Sequence, residues 1–427
     1  MSRPLRIALA GLGTVGGGVV QVLQNPELSE RAGRKLEIAG VSARDRGKDR
    51  GFDAAKLNWA DDPVSLIRSD ADVIVELIGG EDGVALALVE GALEARKHVV
   101  TGNKALLARH GARLAALAEK NGVALKWEAA VAGGIPVVKA LRESLIAYGV
   151  DSVHGILNGT CNYILTQMEA TGRTFEEVLK EAQALGYAEA DPELDVGGGD
   201  TAHKLVLLAS LAFGTIPDQK NISVEGIKGI TTEDIRFARE FGYRIKLLGI
   251  ARRTPNGIDQ RVRPAMVKTG TPLAHVDAVF NAVLANAGPA GRFFLEGRGA
   301  GREPTTQSVI SDLVDIARGN LGASFGWPAA SLKPLKPSDP GAATSAYYLR
   351  FEVLDVPGVL AEIARHLAES RVSIESMIQR GRSPGEPVSI VMITHETSQA
   401  SVERALKVIA GSDKVRARPC MIPMEAA

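Results

Sequence analysis

The 427-residue chain carries 50 Lys and Arg against 50 Asp and Glu, a formal net charge of zero, and 45% of its residues are hydrophobic. That balance argues against an electrostatic grip on nucleic acid or on an anionic membrane surface, and the length leaves room for two or three domains with their own cores. Two distant cysteines, Cys161 and Cys420, with no CxxC and no Cys/His cluster, indicate neither a disulfide framework nor a zinc centre.

The N-terminus, MSRPLRIALAGLG, runs straight into a strand and a glycine loop. It lacks an apolar signal region, and no stretch of about 20 apolar residues follows, so the expectation is a cytoplasmic protein. Leu5 to Ala10 is of strand length and enters Gly11-Leu12-Gly13-Thr14-Val15-Gly16, after which Val19 to Leu23 reads as helix. Strand, G-x-G-x-x-G and helix in that order is the context of a dinucleotide site. Its glycines turn tightly and admit a pyrophosphate to the helix N-terminus. Leu36 to Val41 is a second strand, and no acid stands at Ser42 or Ala43 to hold a ribose 2′-hydroxyl. Arg44 stands next and suits a 2′-phosphate, which tilts the cofactor to NADP(H), with NAD(H) still open because Asp45 is close.

Asp72 to Leu77, His98 to Val100 and Val123 to Trp127 read as further buried strands, alternating with helices at Gly83 to Arg96 and Ala105 to Lys120. The alternation predicts a doubly wound parallel sheet. Ligands of such sheets bind outside the carboxyl ends of the strands, which places Lys104 toward the nicotinamide side of the cleft. Glu128 to Pro136 is a glycine-rich turn with one carboxylate. It is either a hinge between domains or an oxygen-lined place for a monovalent cation.

Past Pro136 the rhythm breaks. Val150 to Leu157 reads as strand, Asn158 opens a helix to about Thr171, and Thr174 to Leu185 is another helix. Gly186 to Lys204, GYAEADPELDVGGGDTAHK, then crowds five acids and three consecutive glycines before a long apolar helix. Asp200 is expected at the N-cap, with Lys204 one turn on along the same face. A carboxylate cluster facing an ammonium group suits a small zwitterion and places a proton donor beside a carbonyl. Runs of strand length at 245–252, 261–267, 279–284 and 293–296 predict a second, α+β domain whose sheet can also join subunits. The loop 297–301 precedes a helix, 305–319, expected to pack back on the first domain with Gly301 near the cofactor. After a linker at 326–346, the pattern βαββαβ over 347–427 predicts a ferredoxin-like unit with no catalytic constellation. The expected domains are thus 1–135 completed by 301–325, 136–300, and 347–427.

Taken together, GLGTVG at 11–16, NKALLA at 103–108, EAAVAGGIP at 128–136, GILNGTCNYIL at 155–165 and GYAEADPELDVGGGDTAHKL at 186–205 resemble homoserine dehydrogenase over nearly the whole chain. LDVPGVL at 354–360 resembles an ACT domain, a module that binds amino acids. The resemblance implies reversible NAD(P)H-dependent reduction of L-aspartate 4-semialdehyde to L-homoserine, on the way to threonine, methionine and isoleucine. It implies feedback by threonine and a homodimer or homotetramer. By the same analogy Lys204 donates the proton, Lys104 is the second active-site lysine, Glu189 and Asp200 hold the substrate with Asp195 nearby, and Gly186 and Gly301 line the cofactor cleft. A Na+ or K+ site maps onto Glu128 and the carbonyls of Val131, Gly133 and Ile135. One departure is Gly197, where the family motif D-V-E-G-x-D leads one to expect glutamate; it is expected to loosen the loop. The competing readings are another reductase of an aspartate-derived substrate, and a silent amino-acid sensor, against which both lysines stand.

Overall fold

The computed structural model describes residues 3–255, 257–380 and 387–426. Strand β1 (Leu5–Ala10) leads into helices α1 (Thr14–Leu23) and α2 (Pro26–Ala32), then β2 (Leu36–Ser42), β3 (Val73–Glu76), α3 (Val84–Glu94), β4 (His98–Thr101), α4 (Lys104–Asn121) and β5 (Leu125–Lys126). The strands pair in the order β2-β1-β3-β4-β5, all parallel. They are apolar on both faces, as a sheet covered on both sides requires. Strand order reverses between β1 and β3, and the ligand crevice of such a sheet lies at that switch point, outside the carboxyl ends of the strands. The fifth strand is shorter than the sequence suggests, because Trp127 turns away to donate its indole N–H to Ser324 O at 3.0 Å.

A short helix α5 (Val137–Lys139) leads to β6 (Ser152–Ile156), α6 (Gly159–Thr171), α7 (Phe175–Ala184), α8 (Glu193–Val196), α9 (Gly199–Phe213) and β7 (Ser223–Val224). The reading of the sequence assigns no element to Thr232–Glu240, which is helix α10, started by a capping box between Thr231 and Asp234. Strands β8 (Tyr243–Thr254), β9 (Gly257–Lys268), β10 (Phe280–Asn286) and β11 (Arg292–Arg298) follow. Helix α11 (Arg302–Ala317) then crosses back onto α1. There Thr306 and Arg302 fill the space that Gly18 leaves open, and Arg302 donates to Gln21 Oε1 at 2.7 Å.

The C-terminal unit runs β12 (Thr344–Leu354), α12 (Val359–Glu369), β13 (Ile374–Gln379), β14 (Pro387–Thr394), β15 (Thr397–Ser398), α13 (Gln399–Ile409) and β16 (Cys420–Glu425). Its strand order β16-β12-β14-β13 is that of the ferredoxin-like unit. The closing strand starts at Cys420 rather than Val415. It also pairs in parallel with β9, Met424 opposite Met266, so one 11-stranded sheet joins the second and third units. The seam is ionic as well as hydrogen-bonded. Asp234, fully buried, accepts from Arg350 Nε at 2.7 Å and from Tyr348 Oη at 3.0 Å. Among the described residues no helix is long and apolar enough to cross a membrane.

Candidate functional site

The glycine loop is shaped by contact. A Cβ at Gly11, whose φ is +98°, would lie 2.5 Å from Leu77 O, and one at Gly16 would lie 2.0 Å from Gly11 O. At Gly13 a Cβ would meet nothing within 4 Å, so this position faces the open crevice. Gly13 caps α1 without a side-chain cap, and the first-turn amides, Thr14 and Val15 among them, are left without intrahelical partners and with no acidic side chain in that turn. These residues fit a dinucleotide pyrophosphate.

Beyond β2, Arg44 is exposed and makes no hydrogen bond or ion pair among the described residues. Arg50, which the sequence reading does not single out, donates Nε to Leu12 O at 2.9 Å and stacks on Trp59 with its Cζ 5.7 Å from the ring centroid. The signal for it was the run of cations at 44, 46, 48 and 50.

At the ends of β3 and β4, buried Glu76 accepts the amides of Ile78 and Gly79 and the hydroxyl of Thr101. Asn103 caps α4 through Leu106 N at 3.1 Å and ties itself to Gly80 O at 2.6 Å. Lys104 is therefore the first residue of a helix whose start is fixed on three sides.

Asp200 is the meeting point. Its Oδ1 lies 2.8 Å from Lys104 Nζ and its Oδ2 lies 2.7 Å from Lys204 Nζ. Asn158 Nδ2 bridges Asp200 Oδ2 at 2.9 Å and Asp195 Oδ1 at 2.8 Å. Asn158 itself is fixed as the cap of α6 by Cys161 N. The expected N-cap role of Asp200 is corrected: Gly198, at φ +89°, occupies the cap, and Asp200 is the second residue of α9. From there its side chain turns toward the lysines instead of the first-turn amides. Burial alone would raise the Asp200 carboxyl, but Lys204 and Lys104 outweigh it and hold the group far below the usual carboxylate range. Asp195 moves the other way, raised by burial and by the neighbouring Asp200 in spite of its bond from Asn158.

Lys204 also donates to Leu157 O at 2.7 Å. Two of its three donors are thus held inside the protein, and the third is left for a ligand atom. His203, not singled out by sequence, sits half-buried beside this group with Nδ1 unpartnered; burial and then Lys104 push its pKa down.

Other named residues make no bond to this centre among the described residues. Glu189 is exposed, its side chain unbonded among the described residues, and its carbonyl takes the Gln183 amide at 3.0 Å. Gly186, at φ +74°, follows the end of α7, and Gly301, at φ +117°, caps α11. Gly197 does not lie in the left-handed region; it ends α8 with φ −78°, and a Cβ there would press on Glu193 O at 2.6 Å. The glycine tightens this turn, where the sequence reading expects it to loosen the loop.

Glu128, Val131, Gly133 and Ile135 do share one turn, and all but Val131 already have hydrogen-bond partners for their oxygens among the described residues. The Glu128 carboxylate accepts from Val138 N and Lys139 N, both at 2.9 Å. Gly133 O accepts from Ser308 Oγ and Ile135 O from Val137 N. Burial, with Asp312 beside it, pushes the Glu128 carboxyl up to about 7. The described residues hold no cluster of three or more metal-ligating acids, histidines or cysteines.

Comparison with known proteins agrees over the full length. A family model described as homoserine dehydrogenase matches residues 136–314, one described as homoserine dehydrogenase, NAD binding domain, matches 11–128, and one described as ACT domain matches 347–411. Homoserine dehydrogenase of Neisseria gonorrhoeae is 43% identical over 435 residues, covering 99% of each chain. That of Pseudomonas aeruginosa is 44% identical over 418 residues, covering 95% of each. The crystal structure of a homoserine dehydrogenase from Thiobacillus denitrificans superposes with a TM-score of 0.93 at 42% identity, over 99% of this chain and 98% of that one. A hyperthermophilic archaeal homoserine dehydrogenase in complex with NADPH shares the fold at a TM-score of 0.63 and 23% identity, over 75% of this chain.

Proposed function

The chain belongs to the homoserine dehydrogenase family, an oxidoreductase acting on a CH–OH group, and we propose that it interconverts L-aspartate 4-semialdehyde and L-homoserine with NADPH as preferred reductant. The carrying observation is Asp200 clamped between Lys204 and Lys104, the latter just past the carboxyl end of β4. When bound, the cofactor supplies a hydride to C4 of the aldehyde. The C=O π pair then moves to oxygen, and that alkoxide must be stabilised and protonated. Lys204 is the donor: its third N–H is free, and its other two bonds fix where that proton points. Lys104, across the same carboxylate, adds a second positive charge beside the growing oxyanion. Asp200 keeps both ammonium groups in place and stays ionised because they surround it. Asp195 is proposed to take the substrate's ammonium group, with Glu189 reaching it from the loop.

Arg44, free of internal partners, is proposed to hold the 2′-phosphate, which supports NADPH over NADH. A cation on the turn of Glu128 is given no step, since its carboxylate already spends both oxygens on α5. The C-terminal ACT domain is proposed to make the enzyme answer to an amino acid, threonine being the one the resemblance implies. The chain is further proposed to assemble as a homodimer or homotetramer through the sheet edge at β11, where Phe293 is 37% exposed. The test is NADPH oxidation followed at 340 nm with L-aspartate 4-semialdehyde, then with NADH. Rapid oxidation with a preference for NADPH is expected. Folded protein that oxidises neither cofactor would overturn the reading and favour the silent sensor.

A further inference from the structure

The seam between the catalytic sheet and the C-terminal domain holds a charged feature that catalysis does not use. Arg261 and Arg263 project from one face of β9 toward the first residue of α13. Both guanidiniums donate to the same neutral acceptor, Gln399 Oε1, at 3.0 Å each. Arg261 also has Asp259, its Nε 2.7 Å from Oδ1. Arg263 has no carboxylate bonded to it; it is 6% exposed, and its Nε finds no partner among the described residues. Two cations sharing one amide oxygen in a buried place are under-compensated.

The two arginines open onto space. Adjoining cavities of about 370 and 900 Å³ share Ser223, Arg263 and Gln399 in their walls. The larger one is also lined by Glu225 and Glu403. Glu403 spends Oε1 on Gln399 Nε2 at 2.7 Å, and the exposed Glu225 side chain is unbonded among the described residues. A guanidinium floor with carboxylates on the wall is complementary to a zwitterion: carboxylate below, ammonium above.

The wall is also tied to the active site. Glu225 N donates to Val262 O at 2.7 Å, and Ile227 N donates to Val196 O at 2.9 Å. Val224 and Val262 press on Gly198, each with a Cγ1 that a Cβ there would meet at 3.0 Å. Val196 to Gly198 is the turn between Asp195 and Asp200. A ligand that draws Glu225 toward Arg263 therefore pulls on the backbone that sets both acids.

We propose that an L-α-amino acid effector binds in this cleft between β9 and α13, its carboxylate on Arg263 and Arg261 and its ammonium on Glu225, and that it acts through 224–227 on the turn carrying Asp195 and Asp200. This rests on the reading that the C-terminal domain makes the enzyme answer to an amino acid, and places the site at that domain's seam with the catalytic sheet.

The test uses the full chain, with the common L-amino acids screened as inhibitors and the hits titrated by calorimetry. Arg263→Met is expected to raise the dissociation constant and the half-inhibitory concentration of the effector at least about tenfold, the loss of one charge-assisted hydrogen bond to a ligand. Turnover without effector should stay within about twofold. Exposed Glu225→Gln is expected to weaken binding in the same direction, and it carries the test if Arg263→Met fails to fold. A wild-type enzyme that is inhibited while neither variant shifts the titration would overturn this site and leave the regulatory reading standing. A wild-type enzyme that turns over yet binds no amino acid would overturn both.

Discussion

Replacing Lys204 by Met removes one ammonium group and keeps the length of the side chain. The structure says what is lost. Lys204 Nζ is 2.7 Å from Asp200 Oδ2 and 2.7 Å from Leu157 O, with the side chain only 12% exposed. At an effective dielectric of about 20, a unit pair at that distance is worth about 6 kcal/mol gross, most of which desolvation takes back. Asp200 keeps Lys104 and Asn158, so it is not left bare. The expected loss of stability is therefore about 1–3 kcal/mol, below the about 3–5 of a fully orphaned buried charge. Catalysis should suffer more. A positioned general acid contributes about 10²–10⁴-fold, or roughly 3–5 kcal/mol of barrier. Single-turnover NADPH oxidation with saturating aldehyde should fall by at least about a hundredfold. NADPH affinity, read by fluorescence, should hold, since the glycine loop lies on another element. A variant that turns over within about threefold of the native rate would remove Lys204 from the proton transfer.

Three further outcomes are expected. Arg44→Ala should raise KM for NADPH about tenfold or more and leave KM for NADH nearly unchanged, as expected when a charge-assisted bond to a 2′-phosphate is lost; equal changes would refute that contact. Arg350→Met should cost about 3–5 kcal/mol in chemical denaturation, because it strips the ion-pair partner from the fully buried Asp234; a loss under about 1 kcal/mol would show that Tyr348 and the helix cap suffice. His154 is buried, and burial together with Arg252 pushes it down to about 3, so the unfolded chain takes up the proton first as pH falls below about 6.5. Stability should drop on acidification by on the order of 3 kcal/mol at pH 4 from this residue, and His154→Leu should flatten melting temperature against pH over that window; an unaltered slope would refute it.

Much of the fold was written in local pattern. The strand, glycine loop and helix at 5–23, the alternating units to residue 127 and the βαββαβ order after 347 follow from periodicity and glycine placement. Those signals act over a few residues and depend little on context. Asp200 and Lys204 were legible too, because one helical turn separates them. What spacing does not carry is which way a carboxylate points. Asp200 faces Lys104, nearly a hundred residues away, because Gly198 takes the cap and Asn158 and two ammonium groups draw its oxygens inward. Asn158 was visible as a helix opener, but its bridge from Asp195 to Asp200 exists only once α6 and α9 pack together. Helix α10 carries too few apolar residues to announce itself, and the C-terminal strand gives no sign that it will join β9. Pairing between strands more than a hundred residues apart is decided by which edges the tertiary structure leaves open. The sequence by itself determined the cofactor loop, the two lysines and the order of the units. Only the tertiary structure decided that one carboxylate holds both lysines and that the C-terminal ACT unit shares a sheet with the second unit, since both depend on contacts between segments that no local pattern links.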